Sequence, residues 1–305
     1  MSGMAAMRKS IFILLGGFAL FLVLILPFYL FGELYGASEF LSKFSFLDFI
    51  LGREWSLPEQ RYGALQAIYG TLITAGLALL IAAPISIASA VAMSELLPER
   101  VSDRLGVLID TIAAIPSVVV GLWGVLSLGP FLSNTLYRFL VENLGFLPIF
   151  QATMLTAYNK LTAALVLGYM IMPFAVSVIK ENLRLVPMEI KEAAYALGFT
   201  RWEVVRITLS YVKPGIFAAL MLALGRAVAE AVAVSMVIGN TCSFSVSLLE
   251  PACTLTTLII NNFAEATGTE AAALIGLGLV LFAISTSIVL VSRLVYSKLL
   301  GGYMR

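Results

Sequence analysis

An arginine and a glutamate lie four residues apart in the segment LGRAVAEAVAV, residues 224–234, which is otherwise apolar. A charged side chain at the centre of a bilayer costs about 2.5–3.5 kcal/mol even on lenient insertion scales. A guanidinium is always charged, and its planar fork of donors suits the oxygens of a tetrahedral oxyanion. Arg226 and Glu230 are therefore either a buried ion pair that holds helices together or part of a path for an anion.

The position of the pair favours the anion path. If a helix begins near Pro214, Arg226 lies about 18 Å along it, near the midplane of a bilayer. A spacing of four residues puts Glu230 on the same helix face, one turn later. Arg226 would meet the anion, and Glu230 would set the charge state and the position of the anion. Ser117 and Asn240 are predicted to line the same path from their positions alone.

The composition is that of a membrane protein. The chain has 305 residues, of which 60% are hydrophobic and 12% charged, and its mean hydropathy is +0.99. Soluble domains carry about 25% charged residues. Histidine is absent, which excludes Ser/His and Cys/His catalysis and His-ligated metals. An intramembrane enzyme would then need a rarer Ser/Lys or Asp/Asp arrangement, and Asp110 is the only acidic residue near a span apart from Glu230. We therefore expect no enzyme, no cofactor and no metal site, and a net charge of +1 gives no basic field for nucleic acid.

Six segments are long and apolar enough to cross a hydrocarbon core, which needs about 20 residues each. We therefore predict an all-α polytopic protein with six transmembrane helices. The first apolar run is longer than that of a signal peptide, so we expect it to stay as a helix, although small residues at 36–38 would suit cleavage. The predicted spans are 11–33, 68–94, 104–128, 154–180, 214–239 and 271–297.

The orientation follows from the distribution of lysine and arginine. With the N-terminus inside, thirteen of the nineteen basic residues fall on the inner side, five on the outer side, and Arg226 within the membrane. Both termini are then cytoplasmic in a multi-pass protein of the cell membrane. The outer loops are predicted at 34–67, 129–153 and 240–270.

The longest inner connection, residues 181–213, is patterned as two short helices between about 187 and 212. Pro187 suits a first helical turn, and Gly198 suits the left-handed position that ends a helix. Thr200 and Glu203 form a T-x-x-E capping box for the second helix. A short helix with exposed apolar residues is a ligand for a groove on a partner protein, or alternatively lies on the membrane surface.

The sequence EAAYALG at 192–198 resembles the EAA-x-x-x-G signature of permeases of type I ABC importers. Several other segments are similar to the phosphate-specific permease subunits of the PstC family, so the resemblance covers about residues 68–295. They are DTIAAIPSVVVGLWG (110–124), LTAALVLGYMIMPFAVS (161–177), GRAVAEAVAVSMVIGN (225–240) and LIINNFAEA (258–266).

This resemblance implies the type I ABC importer permease fold and a role as the permease subunit of an ATP-driven phosphate importer. Residues 68–300 would form the permease core, and residues 1–67 an additional N-terminal transmembrane helix with its outer loop. A dimer of ATPase subunits, PstB-like, would hold the first inner helix through Glu192, Ala193, Ala194 and Gly198. A second permease subunit, PstA-like, and an extracytoplasmic phosphate-binding protein would complete the importer.

Other functions stay open at this point. The permease could carry another oxyanion, such as sulfate, molybdate or tungstate. An ion-driven carrier or channel would work without an ATPase, but it would leave the helix at 188–198 without a function. The sequence has no G-x-x-x-x-G-K-[ST] loop, so we expect ATP hydrolysis on a partner chain.

The two cysteines, Cys242 and Cys253, are eleven residues apart in the last predicted outer loop. On an oxidising side of the membrane they are able to form a disulfide. Free thiols that pack as small hydrophobic groups are the equal alternative.

Overall fold

The computed structural model describes residues 2–36, 45–56 and 58–303, and helices dominate this part of the chain. Some positions used in the sequence analysis lie outside the described residues. They are Lys43, one of the five basic residues predicted on the outer side, Arg305, one of the thirteen predicted on the inner side, and residues 37–38 of the stretch of small residues. The helices are α1 (Ser2–Gly36), α2 (Phe46–Leu51), α3 (Leu65–Val91), α4 (Glu99–Ala113), α5 (Ser117–Trp123), α6 (Gly129–Asn134), α7 (Leu136–Leu144), α8 (Lys160–Arg184), α9 (Met188–Ala196), α10 (Arg201–Tyr211), α11 (Lys213–Ala229), α12 (Val232–Val237), α13 (Leu255–Asn262) and α14 (Thr269–Tyr303).

Shorter elements complete this part of the chain. Two π-helical turns extend α3 and α5, over Ala92–Leu96 and Gly124–Leu128, and a 3₁₀ turn covers Pro148–Phe150. The strands β1 (Trp55–Ser56) and β2 (Arg61–Tyr62) form an antiparallel hairpin. In the hairpin, Arg61 forms a hydrogen bond and ion pair with Glu54, which raise the pKa of its guanidinium.

The described residues contain five helical stretches that are long and apolar enough to cross a membrane. A sixth is present if α10 and α11, which meet at a bend of 65°, form one span. The prediction of a polytopic all-α protein is thus confirmed. The five stretches are Ser10–Tyr29, Leu65–Leu96, Ser117–Leu144, Lys160–Arg184 and Thr269–Ser297.

The predicted third span, 104–128, is wrong in its position. Helix α4 ends at Ala113 and α5 begins at Ser117, because Pro116 forces the residue before it out of the helical conformation. The apolar stretch long enough to span begins after this proline and continues to Leu144, through residues that we predicted as an outer loop. Helix α4, which carries charged residues along one side, instead packs against α8.

The fourth and fifth predicted spans also differ from the structure. Helix α8 begins at Lys160 rather than at 154, because Asn159 caps it by accepting a hydrogen bond from Thr162 N at 2.8 Å. The predicted fifth span, 214–239, is interrupted, since α11 ends at Ala229 and α12 starts at Val232.

The core is built on the close packing of α3 against α8. Helix α3 presents a buried row of small residues that includes Ala75, Ala78 and Ala82. On α8, a Cβ at Gly168 would lie only 3.2 Å from Ala78 O, so the two backbones approach closely. Small residues are the usual means by which membrane helices achieve such contact. Helix α11 packs on both, α14 packs along α11, and α12 packs on α5.

At one end of this core, the loop between α12 and α13 is held at several points. The structure joins Cys242 and Cys253 in a disulfide with a Cα–Cα distance of 5.0 Å. Lys160 Nζ donates to Ser245 O at 3.1 Å, and Thr153 N donates to Glu250 Oε1 at 2.8 Å. This loop, residues 239–254, is called the disulfide loop below.

Candidate functional site

The interruption between α11 and α12 is the central feature of the site. Glu230 leaves the helical conformation with φ −70° and ψ 123°, and no proline is present there. Thr256 Oγ1 from α13 donates to Glu230 O at 3.0 Å. Ala233 N, in the first turn of α12, donates to Glu230 Oε1 at 3.3 Å. The interruption leaves backbone groups without a partner inside the helix. Thr256 satisfies one of them, Glu230 O, and the carboxylate of Glu230 satisfies another, Ala233 N.

This arrangement corrects the predicted placement of Glu230. On a continuous helix it would lie one turn beyond Arg226 on the same face. In the structure it lies after the last residue of α11, in an extended conformation, and its carboxylate accepts a hydrogen bond from the start of α12.

Arg226 lies in the last turn of α11, and its side chain is exposed. Its guanidinium carbon is 5.7 Å from the centroid of the Phe174 ring on α8, which is within the range of a cation–π contact. In the part of the chain that the structure describes, no carboxylate lies within 4.0 Å of this guanidinium. The side chains of Arg226 and Glu230 therefore do not form the ion pair that was the alternative interpretation.

Ser117 begins α5, the helix that packs on α12. A Cβ on Gly121 would be 3.0 Å from Ala233 Cα, and one on Gly124 would be 2.8 Å from a methyl group of Val237. Because both sets of contacts advance in the same direction, α5 and α12 run parallel. Ser117 is the first residue of α5 and lies one turn before Gly121. Since the two helices are parallel, Ser117 lies toward the end of α12 at which α11 stops.

Asn240 lies beyond the other end of α12. It has a left-handed backbone conformation with φ 50°, which asparagine tolerates better than most residues. Its side-chain Nδ2 donates to Ser235 O at 2.6 Å and so satisfies a carbonyl of α12. The structure thus places Arg226 and Glu230 at the interruption and Ser117 at the start of the helix that packs on α12, but it places Asn240 at the far end of α12.

The inner connection folds as two helices, as the local signals predict. Gly198 adopts φ +84° after α9, and both the backbone N and Oγ1 of Thr200 donate to Glu203 Oε2 at 2.7 Å. Of the four residues of the EAA motif, Glu192, Ala193 and Gly198 are exposed and Ala194 is buried. We refer to α9 and α10 with their linker as the coupling segment.

The coupling segment exposes a group of large apolar side chains. Contiguous exposed apolar surface on a protein marks an interaction site. Buried residues on the other side of α10, among them Val205, pack with the ends of α3 and α8. The coupling segment therefore has one side fixed to the core and one side open. The exposed residues are Met188, Tyr195, Leu197, Phe199 and Trp202.

Sequence reasoning missed Phe174 and Thr256. Phe174 is one aromatic residue among many in apolar helices, so nothing in the sequence singles it out. Thr256 belongs to the sequence TLTT at 254–257, and Thr254 and Thr257 form reciprocal hydrogen bonds at the start of α13. This cluster of threonines at a helix start is a signal for the cap, but not for the contact with Glu230.

Comparison with known proteins agrees with this architecture. Residues 82–300 match the family described as binding-protein-dependent transport system inner membrane component. The "Phosphate transport system permease protein PstC" of Pasteurella multocida is 39% identical over 286 residues, which cover 92% of this chain and 89% of that protein. The "Probable phosphate transport system permease protein PstC" of Methanocaldococcus jannaschii is 37% identical over 268 residues, with 86% and 84% covered.

A solved structure supports the fold independently of sequence. A chain of the MetNI methionine ABC transporter in an inward-facing conformation superposes with a TM-score of 0.58 at 16% identity, over 80% of this chain and 99% of that one. The helical core, with its five or six candidate spans, therefore has the fold of a permease of type I ABC importers. The chain belongs to the family of inner membrane components of binding-protein-dependent transport systems, together with the PstC proteins.

Proposed function

We propose that this chain is the permease subunit that conducts phosphate in an ATP-driven importer, with the interruption between α11 and α12 as the substrate site. The interrupted helix is the observation that carries the proposal. Many secondary transporters have their substrate sites at discontinuous membrane helices, and we extend this arrangement to the present chain. Arg226 lies one turn before the interruption with its guanidinium free of carboxylate partners among the described residues.

Phosphate is the substrate that the side chains and the relatives favour together. The relatives are named as phosphate permeases. One oxygen of Glu230 accepts from Ala233 N, whereas Oε2 forms no hydrogen bond with any described residue. This second oxygen is able to accept a hydrogen bond from the hydroxyl group of monohydrogen phosphate, while Arg226 binds the other oxygens. Sulfate has no such proton at neutral pH. Permeation of sulfate, molybdate or tungstate is the runner-up.

The proposed partners are those of the family, and the exposed side of the coupling segment gives the ATPase a place to bind. A PstB-like ATPase dimer would bind the exposed apolar side of the coupling segment, with Glu192, Ala193 and Gly198 at the contact. A PstA-like second permease would complete the path, and an extracytoplasmic phosphate-binding protein would deliver the anion on the side of the disulfide loop. Both termini would be cytoplasmic in the cell membrane, and ATP would be hydrolysed by the partner.

A carrier or channel that works without an ATPase is the alternative of a different class. It would leave the exposed apolar residues of the coupling segment without a function. Uptake by this chain and its second permease without ATPase subunits would support that alternative.

Phosphate uptake into membrane vesicles tests the proposal. The complete importer is compared with its Arg226→Ala and Arg226→Lys variants, and Arg61→Ala in the exposed hairpin is the control. We expect Arg226→Ala to lower uptake about tenfold or more, because charge-assisted hydrogen bonds contribute about 1.5–3 kcal/mol. Arg226→Lys keeps the charge but loses the fork, so it should retain part of the activity. Wild-type uptake by Arg226→Ala would reject Arg226 as a substrate residue.

A further inference from the structure

Both helices of the coupling segment are bonded to the end of α3. Lys191 Nζ on α9 donates to both carboxylate oxygens of Glu95, at 2.8 and 2.9 Å. Arg201, the first residue of α10, donates from Nη2 to Glu95 O and Leu96 O, at 2.7 and 2.8 Å. Glu95 therefore receives a side-chain contact from α9 and a backbone contact from α10.

The end of α3 is built to accept these contacts. It widens into a π-helical turn over Ala92–Leu96, which closes with a hydrogen bond from Leu97 N to Ala92 O at 2.9 Å. Such turns are rare and often occur at functional sites. The last carbonyls of a helix lack partners within it, and a cation is favourable there. The guanidinium of Arg201 supplies two of the missing donors.

The pair of Glu95 and Lys191 is also the least exposed ion pair among the described residues. Their side chains are 8% and 16% exposed, whereas those in the other ion pairs are 48–70% exposed. A buried ion pair is seldom more stable than apolar residues of the same size, and its best-attested use is to fix the register of two elements. Here the elements are α9 and α3.

Helix α3 connects this contact with the substrate site. Near the start of α3, Thr71 Oγ1 accepts a hydrogen bond from Leu255 N, the first residue of α13, at 2.9 Å. Gly70 lies so close to the carbonyl of Cys253 that no Cβ would fit. The next residue of α13, Thr256, donates to Glu230 O at the interruption. A chain of direct contacts therefore runs from the coupling segment through α3 and α13 to Glu230.

We infer that Glu95 is a positioning residue for transport, which together with Lys191 and Arg201 fixes the coupling segment to α3. A displacement of the coupling segment by the ATPase then moves α3, and through α13 it moves the backbone at Glu230. The inference rests on the proposed function, and it adds the route by which the ATPase acts on the substrate site. A physically contiguous network with two positions is what such a route requires.

The test uses the complete importer in proteoliposomes and measures phosphate taken up per ATP hydrolysed. The variants are Glu95→Gln and Lys191→Gln, which break the pair, and Lys191→Arg, which keeps it. Glu54→Gln, which breaks the exposed pair with Arg61, is the matched control. We expect the first two to lower the ratio roughly two- to thirtyfold, the range for changes along a coupling network. Lys191→Arg and the control should keep the wild-type ratio, and all variants should copurify with the ATPase.

Three results would overturn the inference. They are a wild-type ratio in Glu95→Gln and Lys191→Gln, a loss in Lys191→Arg as large as in Lys191→Gln, and loss of ATPase copurification in both broken-pair variants. The last would make the pair a requirement for assembly instead of transmission. A wild-type complex that takes up no phosphate, or does so without ATP, would instead reject the proposed function.

Discussion

Glu230 stabilises the backbone at the interruption and also has a carboxylate oxygen without a hydrogen bond to any described residue. Its carbonyl and one carboxylate oxygen hold the backbone where α11 ends and α12 begins. Its other oxygen is available to a ligand. Arg226 has a complementary position, since its guanidinium carbon lies 5.7 Å from the centroid of the Phe174 ring and no described carboxylate is within 4.0 Å of it. The role of each side chain therefore depends on a helix that stops between them.

Replacing Glu230 by glutamine tests the backbone contact and the proposed ligand contact of its carboxylate separately. The amide oxygen of Glu230→Gln still accepts from Ala233 N, so we expect the complex to assemble. The amide NH₂ at the second position donates instead of accepting, so it favours a fully deprotonated oxyanion. We expect sulfate to compete with phosphate uptake about tenfold more strongly than in the wild type, which is the effect of one hydrogen bond to a charged group. Uptake of labelled phosphate against increasing sulfate measures this, with Glu265→Gln as control. Unchanged competition would exclude Glu230 from substrate selection.

Arg226 and Glu230 could be identified from the sequence because charges are conspicuous in an apolar run. The interruption between them could not. Neither proline nor glycine occurs at residues 226–234, and the stabilising donor, Thr256, lies 26 residues later on another helix. Local patterns contain no information about such a contact. Asn240 illustrates the converse, because a polar residue near the predicted path turned out to cap α12.

At the scale of elements, the coupling segment was predicted correctly because its signals are local. Pro187, Gly198 and the pair Thr200–Glu203 determine where α9 and α10 begin and end. The third span was misplaced because apolar residues continue on both sides of Pro116, so that α4 and α5 look like one helix. Apolar content predicts that a helix forms, but it does not predict that the chain divides at Pro116, with α4 packed against α8 and α5 against α12.

The left-handed turn at Gly198 sets the relative orientation of α9 and α10, and a substitution there tests its importance. Gly198→Ala has space for its Cβ, but the left-handed conformation at φ +84° costs a residue with a Cβ about 1–2 kcal/mol. We expect α9 and α10 to change their relative orientation, and both ATPase copurification and phosphate uptake to fall several-fold. Gly76→Ala in α3 is the control, because Gly76 is helical and has nothing within 4 Å of an added Cβ. If Gly198→Ala assembled and transported like Gly76→Ala, the geometry of this turn would not matter for coupling.

Helix α3 connects two ends of the molecule that differ in their chemistry. One end carries the coupling segment and its ion pair with Glu95. The other end contacts the disulfide loop through Gly70 and α13 through Thr71. A disulfide persists in an oxidising compartment, whereas an ATPase acts in the cytosol. If the proposed ATPase binds the coupling segment, the two ends match the orientation that the lysine and arginine distribution predicts, with the coupling segment inside, and this orientation stays a prediction.

Labelling with a membrane-impermeant maleimide tests this orientation in intact cells. Without reductant, we expect no labelling of the wild-type chain, because both of its thiols are in the Cys242–Cys253 disulfide. After reduction and removal of the reductant, Cys242 should be labelled from outside, since it is half-buried while Cys253 is buried. In a Cys242→Ser/Cys253→Ser background, the exposed residue Glu189 on α9 is replaced by Glu189→Cys as the inner control. This thiol should react only after the cells are opened, because the coupling segment would face the cytosol. Labelling of Glu189→Cys from outside, or of Cys242 only in opened cells, would reverse the orientation and remove the coupling segment from the reach of a cytosolic ATPase.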